Sequence, residues 1–141
     1  MHFTIEEAFK IFYLFLDAQY EKTKSEDLGW LMGGMSWNNI TGCKPIFWSY
    51  WKDSVEEVVG EKIGMSLRLT EDNLILSIYY FLEKIFDDNI NDPQIKKILD
   101  KKNFGKGFFF DVDLQKDWYE SVKKVENKLV DEAEFNQILF K

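Results

Sequence analysis

The sequence predicts an all-α fold: one mostly helical domain of two degenerate three-helix repeats and a C-terminal helix, packed about a pseudo-twofold axis. Three observations predict it. Residues 4–16, TIEEAFKIFYLFL, and 70–82, TEDNLILSIYYFL, both open on Thr followed by acids and then run apolar on nearly every side. A hydroxyl and first-turn carboxylates satisfy the free N–H groups of a helix start, and an apolar surface all round marks a helix wrapped by protein. The order of motifs then recurs at nearly fixed spacing. Finally, 141 residues suffice for one continuous core and are too few for two of ordinary size.

The first helix starts after Thr4, with Glu7 completing a capping box, and carries Ile5, Ala8, Phe9, Phe12, Leu16 and Tyr20 at helical spacing. It should fray in the polar run 21–24. Ser25 suits an N-cap, Glu26 and Asp27 a first turn, and Leu28, Leu31 and Met32 a short second helix closed by Gly33 and Gly34. Residues 35–46 have no steady period and read as a loop, with 37–41 a candidate for brief extended pairing. Phe47, Trp48, Trp51, Val55, Val58 and Val59 make the third helix, which Gly60 stops.

The second repeat, residues 69–126, answers the first, residues 3–60. Tyr13, Phe15 and Leu16 fall on Tyr79, Phe81 and Leu82 at an offset of 66 residues, and after one inserted residue WKDSVEEV falls on WYESVKKV at 67. Asp92 and Pro93 suit an N-cap and first helical position for a helix over 93–102. Residues 102–113 form the counterpart loop, with 107–112 a second extended candidate. Leu114, Trp118, Val122, Val125 and Leu129 form the next helical stripe, with Asp113 as its N-cap. A last helix over 131–140 has no counterpart. Two such units are expected to pack their apolar first helices directly on one another, since neither could bury its rings alone.

Composition narrows the function classes. Thirteen Phe, six Tyr and five Trp exclude a disordered chain. The net charge is −7 and Arg68 is the only arginine, so a nucleic-acid partner is disfavoured and a basic protein partner suits the surface better. No apolar stretch approaches the roughly 20 residues of a membrane span. The single Cys43 rules out an intrachain disulfide, and the acidic N-terminal MHFTIEEAFK lacks the pattern of a signal peptide, so a cytoplasmic location is expected.

Chemistry-bearing groups are sparse. His2 precedes the first helix and Cys43 has no His near it in sequence, so neither suggests nucleophilic catalysis. Asp111, Asp113, Asp117 and Glu120 could crowd together, yet DVDLQKDWYE lacks the Gly and distal Glu of a calcium loop. Gly105 and Gly107 in NFGKGF lack the Lys-Ser or Lys-Thr of a phosphate loop. No metal, cofactor or enzymatic activity is therefore expected. Trp51 and Trp118 sit on apolar stripes and read as core. Trp30, Trp37 and Trp48 are less bound by period, and Phe108 to Phe110 cannot all face inward if extended.

The run TIEEAFKIFYLFLDAQYEKTKSEDLGWLMGGM, followed by a Pro and then WSYWKDSVEEV, resembles the small bacterial immunity proteins that neutralise polymorphic toxins, including those of contact-dependent growth inhibition. The likeness covers residues 3–59 well and 69–126 as the degenerate copy. It departs in the loop, where SWNNITGCKPIFW stands for an acidic stretch. The resemblance implies a protein that binds a cognate toxin domain, often a basic nuclease, and blocks it stoichiometrically. Acidic side chains would then take the place of phosphates, with Glu26, Asp27, Asp111 and Asp113 as the electrostatic part and Trp37, Trp48, Phe108 and Phe109 as anchors. The alternatives are a small metal-dependent enzyme using the carboxylates from Asp111 to Glu120, and a self-associating structural adaptor.

Overall fold

Thr4 does what a capping hydroxyl should: it accepts the Glu7 N–H at 3.0 Å while the Glu7 carboxylate accepts the Thr4 N–H at 2.9 Å, and the first helix runs from there. The computed structural model describes residues 2–35, 45–62, 64, 67–86, 91–100, 109 and 111–127. In chain order its elements are β1 (His2–Thr4), α1 (Ile5–Thr23), α2 (Glu26–Met35), α3 (Pro45–Val59), β2 (Arg68–Thr70), α4 (Glu71–Phe86), α5 (Pro93–Ile98) and α6 (Val112–Glu126). The fold is mostly helical, as the sequence predicts. The expected helix over 131–140 and the extended candidate 37–41 lie outside the described residues.

Several boundaries differ from expectation, each for a physical reason. Gly33 and Gly34 do not close α2, which continues to Met35. Gly34 instead lets Phe47 of α3 press against the helix, since a Cβ there would lie 2.0 Å from a Phe47 ring carbon. The N-cap of α6 is Asp111 rather than Asp113, because the Asp111 carboxylate accepts the Leu114 N–H at 3.0 Å. Helix α5 ends early, at Ile98. Gly60 does end α3, at a φ of 76° that favours glycine.

Extended pairing occurs where the sequence did not suggest it. Of the candidate 107–112, Val112 already belongs to α6 and Asp111 caps it. The observed sheet joins β1 and β2 antiparallel, with Phe3 opposite Leu69, His2 opposite Thr70 and Thr4 opposite Arg68. Only the central residue of each strand is buried, so the segments are too short to show an alternating pattern.

The helix packing also corrects the expectation that the two apolar first helices would be each other's main partners. Each lies closest to the third helix of the other half, α1 beside α6 and α4 beside α3. Bulk is the cause. Trp51 of α3 stacks on Phe12 of α1 at 5.3 Å and meets Phe81 of α4 edge-on at 5.8 Å, so its indole fills the space between the rods. Phe12 and Phe81 still touch, at 5.4 Å between centroids. Trp118 of α6 meets Phe15 of α1 edge-on at 5.5 Å, and Phe109 stacks on Phe15 at 5.0 Å. Trp51 and Trp118 are both fully buried, as their stripes predict.

A polar seam closes one side of this aromatic core. Buried Gln19 of α1 donates to Asp117 of α6 at 3.0 Å and accepts from Gln94 of α5. Lys22 reaches the same Asp117 oxygen, and that hydrogen bond raises the Lys22 pKa. Ser25 accepts the Leu28 N–H at the start of α2 and donates to Asp92, which caps α5 through the N–H groups of Gln94 and Ile95. Satisfied polar contacts of this kind set which helix meets which, because an unmatched buried group is costly. Burial, with the Asp17 charge adding to it, pushes the Tyr13 pKa up.

Candidate partner-binding face

Helix α2 has a sharply divided surface. Leu28, Leu31, Met32 and Met35 are buried, which leaves Glu26, Asp27, Trp30 and Gly33 exposed on the other side. Residues three and four apart share a helix face, so Trp30 stands one turn beyond the two carboxylates. Its indole is 54% exposed, the one tryptophan among the described residues to present itself this way. Two rings hold it from beneath, Phe47 at 5.3 Å and 81° and Phe86 at 6.0 Å and 62°, both edge to face. Phe47 is buried and Phe86 partly so, which makes Trp30 the outer member of an aromatic cluster spanning α2, α3 and α4.

Among the described residues the charges on this face have no ion-pair partner. Neither Glu26 nor Asp27 forms an ion pair or accepts a side-chain hydrogen bond among the described residues. Other carboxylates are engaged at home: Glu21 with Lys24, Glu57 with Lys84 and Asp117 with Lys22. Asp111 is likewise occupied, capping α6 and lying 3.3 Å from Lys97, and the Leu114 N–H together with Lys97 holds its carboxyl below the usual range. Asp113 is exposed in the first turn of α6.

The predicted anchors fare unevenly. Phe109 is buried and packs between Phe15 and Trp118, so it belongs to the core rather than to a surface. Trp48 is half-buried and leans edge-on against Phe9 at 6.5 Å. Trp37 and Phe108 lie outside the described residues. Of the predicted acids, Glu26 and Asp27 sit together on α2, whereas Asp111 and Asp113 start α6. The residue that sequence reasoning underweighted is Trp30. Projecting the stripe of Leu28, Leu31 and Met32 onto a helix would have put Trp30 opposite it, on the side of Glu26 and Asp27.

The carboxylates from Asp111 to Glu120 do not converge. Asp117 turns into the seam toward Gln19 and Lys22 while Asp113 and Glu120 face solvent. Among the described residues no three His, Cys, Asp or Glu side chains come together in a way that could hold a metal ion. No described helix is long and apolar enough to cross a membrane. What the α2 face offers is contact chemistry: an aromatic surface with two negative charges beside it that no described cation pairs. Comparison of the chain with protein-family models, with curated proteins and with solved structures finds no match.

Proposed function

We propose that this chain is an immunity protein, which binds a cognate bacterial toxin domain, a basic nuclease being the best fit, and neutralises it by covering its active site or groove. The observation that carries the reading is the outer face of α2, where an exposed Trp30 adjoins two carboxylates, Glu26 and Asp27, that have no ion-pair partner among the described residues. Aromatic anchors give an interface slow release, and a negative field draws in a basic partner and rejects wrong ones. The net charge of −7 and the resemblance of residues 3–59 to immunity proteins point the same way. In this reading the chain acts in the cytoplasm and performs no chemistry of its own. A metal-dependent enzyme has less support, because Asp111 and Asp117 are engaged in capping and in the polar seam.

The same reading takes the molecule as a duplicated three-helix unit. It is supported by the strand register, since Phe3 and Leu69 face each other and are also the residues that the 66-residue offset matches. The exchanged packing of α1 on α6 and α4 on α3 agrees with it.

The test is stoichiometric inhibition. The product of the adjacent reading frame is purified, its nuclease activity is measured, and this chain is added in steps. Activity extinguished near one chain per toxin is the expected result. Full activity in the presence of excess chain would overturn the proposal.

A further inference from the structure

Three tyrosines among the described residues each have a lysine ammonium near the ring, two from the same helix and one, Lys24, from the residue that caps it. Lys24 Nζ lies 5.3 Å from the Tyr20 ring centroid, Lys84 Nζ 5.4 Å from Tyr80, and Lys123 Nζ 6.0 Å from Tyr119. In every case the lysine stands four residues after the ring, the spacing that lets a side chain reach back over the preceding turn. The same local pairing of ring and cation thus recurs three times.

Trp30 breaks the pattern. An indole attracts cations more strongly than a phenol ring, yet the residue four positions on is Gly34, which has no side chain to reach back. Gly34 cannot be filled, because Phe47 occupies the space a Cβ would need. Gly33, one position nearer, is also bare and has open space around it. Phe47 and Phe86 meet Trp30 edge to face rather than stacked on it. On the N-terminal side Glu26 and Asp27 supply two carboxylates with no cation among the described residues. The helix therefore has an aromatic acceptor and counter-charges but lacks, among the described residues, the cation that these three tyrosines have.

We propose that the missing cation comes from the partner: an arginine side chain in a basic segment of that protein, its guanidinium stacked on the Trp30 indole and its outer N–H groups bonded to Glu26 and Asp27. This rests on the reading of the chain as a protein-binding inhibitor and specifies the chemistry of its partner at that face. Arginine is the better fit because a planar guanidinium stacks on a ring while leaving its edge free for carboxylates, whereas an ammonium is a more strongly hydrated point charge. The net charge of −7 favours the approach of a basic segment. The occupant of the α2 face is thus an arginine-bearing loop or strand rather than an apolar helix, which would leave both carboxylates desolvated and unpaired.

The full chain, carrying nitrogen-15 in its tryptophan side chains, is titrated with hexaarginine, with hexalysine and hexaglutamine as comparisons, in about 0.15 M salt. The Trp30 indole signal is assigned from its loss in Trp30→Phe. Expected is a saturable shift of that signal with hexaarginine, weaker with hexalysine and absent with hexaglutamine. Trp30→Leu should weaken hexaarginine binding about fivefold or more, and so should Glu26→Gln with Asp27→Asn, while Tyr119→Leu leaves it unchanged. Trp30 and both acids are exposed, so these variants keep the fold, which an unchanged thermal melt verifies. Equal binding by Trp30→Leu and the parent chain, or shifts spread over all the tryptophans, would overturn the assignment. Neutralisation of the toxin by a chain with no hexaarginine response at Trp30 refutes this inference alone. A Trp30 response in a chain that inhibits no toxin refutes only the functional reading.

Discussion

Trp51 of α3 and Trp118 of α6, 67 residues apart in sequence, are both fully buried, yet their indole N–H groups differ in fate. Trp118 Nε1 donates to Glu71, the first residue of α4, at 2.7 Å. Trp51 Nε1 is buried with no partner among the described residues. The sequence position matched to Glu71 by the 66-residue offset is Ile5, which has no side-chain acceptor. A hydrogen bond to a charged group is worth about 1.5–3 kcal/mol, and a buried orphan donor is a liability. Trp118→Phe should therefore destabilise more than Trp51→Phe, by about 1 kcal/mol or more, since both leave similar cavities and only one breaks a bond. Urea unfolding of the two variants checks this, and equal losses would contradict it. The burial of both indoles was legible from their apolar stripes, but the difference between them depends on what arrives from α4, which no local pattern encodes.

At the scale of elements, capping decides where helices begin and how the structure responds to acid. Thr4, Ser25, Thr70, Asp92 and Asp111 each accept a backbone N–H at a helix start. Four of these were readable from the sequence, because a Thr, Ser or Asp before an apolar run has few other uses. Asp111 was not, because Asp113 satisfies the same pattern two residues later and only the path of the chain into α6 separates them. The Leu114 N–H and Lys97 lower the Asp111 pKa in the folded state. A carboxyl depressed on folding contributes stability above its unfolded pKa and loses it as pH falls through the folded value. Asp111→Asn, which keeps a capping oxygen, should leave α6 helical at neutral pH and lose this part of the acid sensitivity. Circular dichroism of parent and variant between neutral pH and the acid limb would show it. An identical acid limb in the two proteins would refute it.

Across the whole molecule, aromatic contacts join helices from both halves of the chain. Phe81 of α4 touches both Phe12 of α1 and Trp51 of α3. Phe81→Ala should lower stability by about 3–5 kcal/mol through lost burial and the cavity left behind. The loss should appear as one transition, reported alike by helical circular dichroism and by tryptophan fluorescence, because neither half retains its core once these rings part. Two resolved transitions would show halves that fold independently. On the outside, neutralising Glu26 and Asp27 is expected to leave stability nearly unchanged, since no described cation pairs with them.

From the sequence by itself came the helical class, most helix starts, the burial of the central rings and the acidic character of the surface. These are properties of local spacing and composition, which need no knowledge of distant residues. The tertiary structure alone decided that each apolar rod lies along the other half's third helix, that β1 pairs with β2, that Phe109 joins the core, and that Trp30 remains outside beside Glu26 and Asp27. Those outcomes hinge on contacts between residues far apart in the chain, where the bulk of a Trp51 or the absence of a Cβ at Gly34 settles which surface is covered and which is left open.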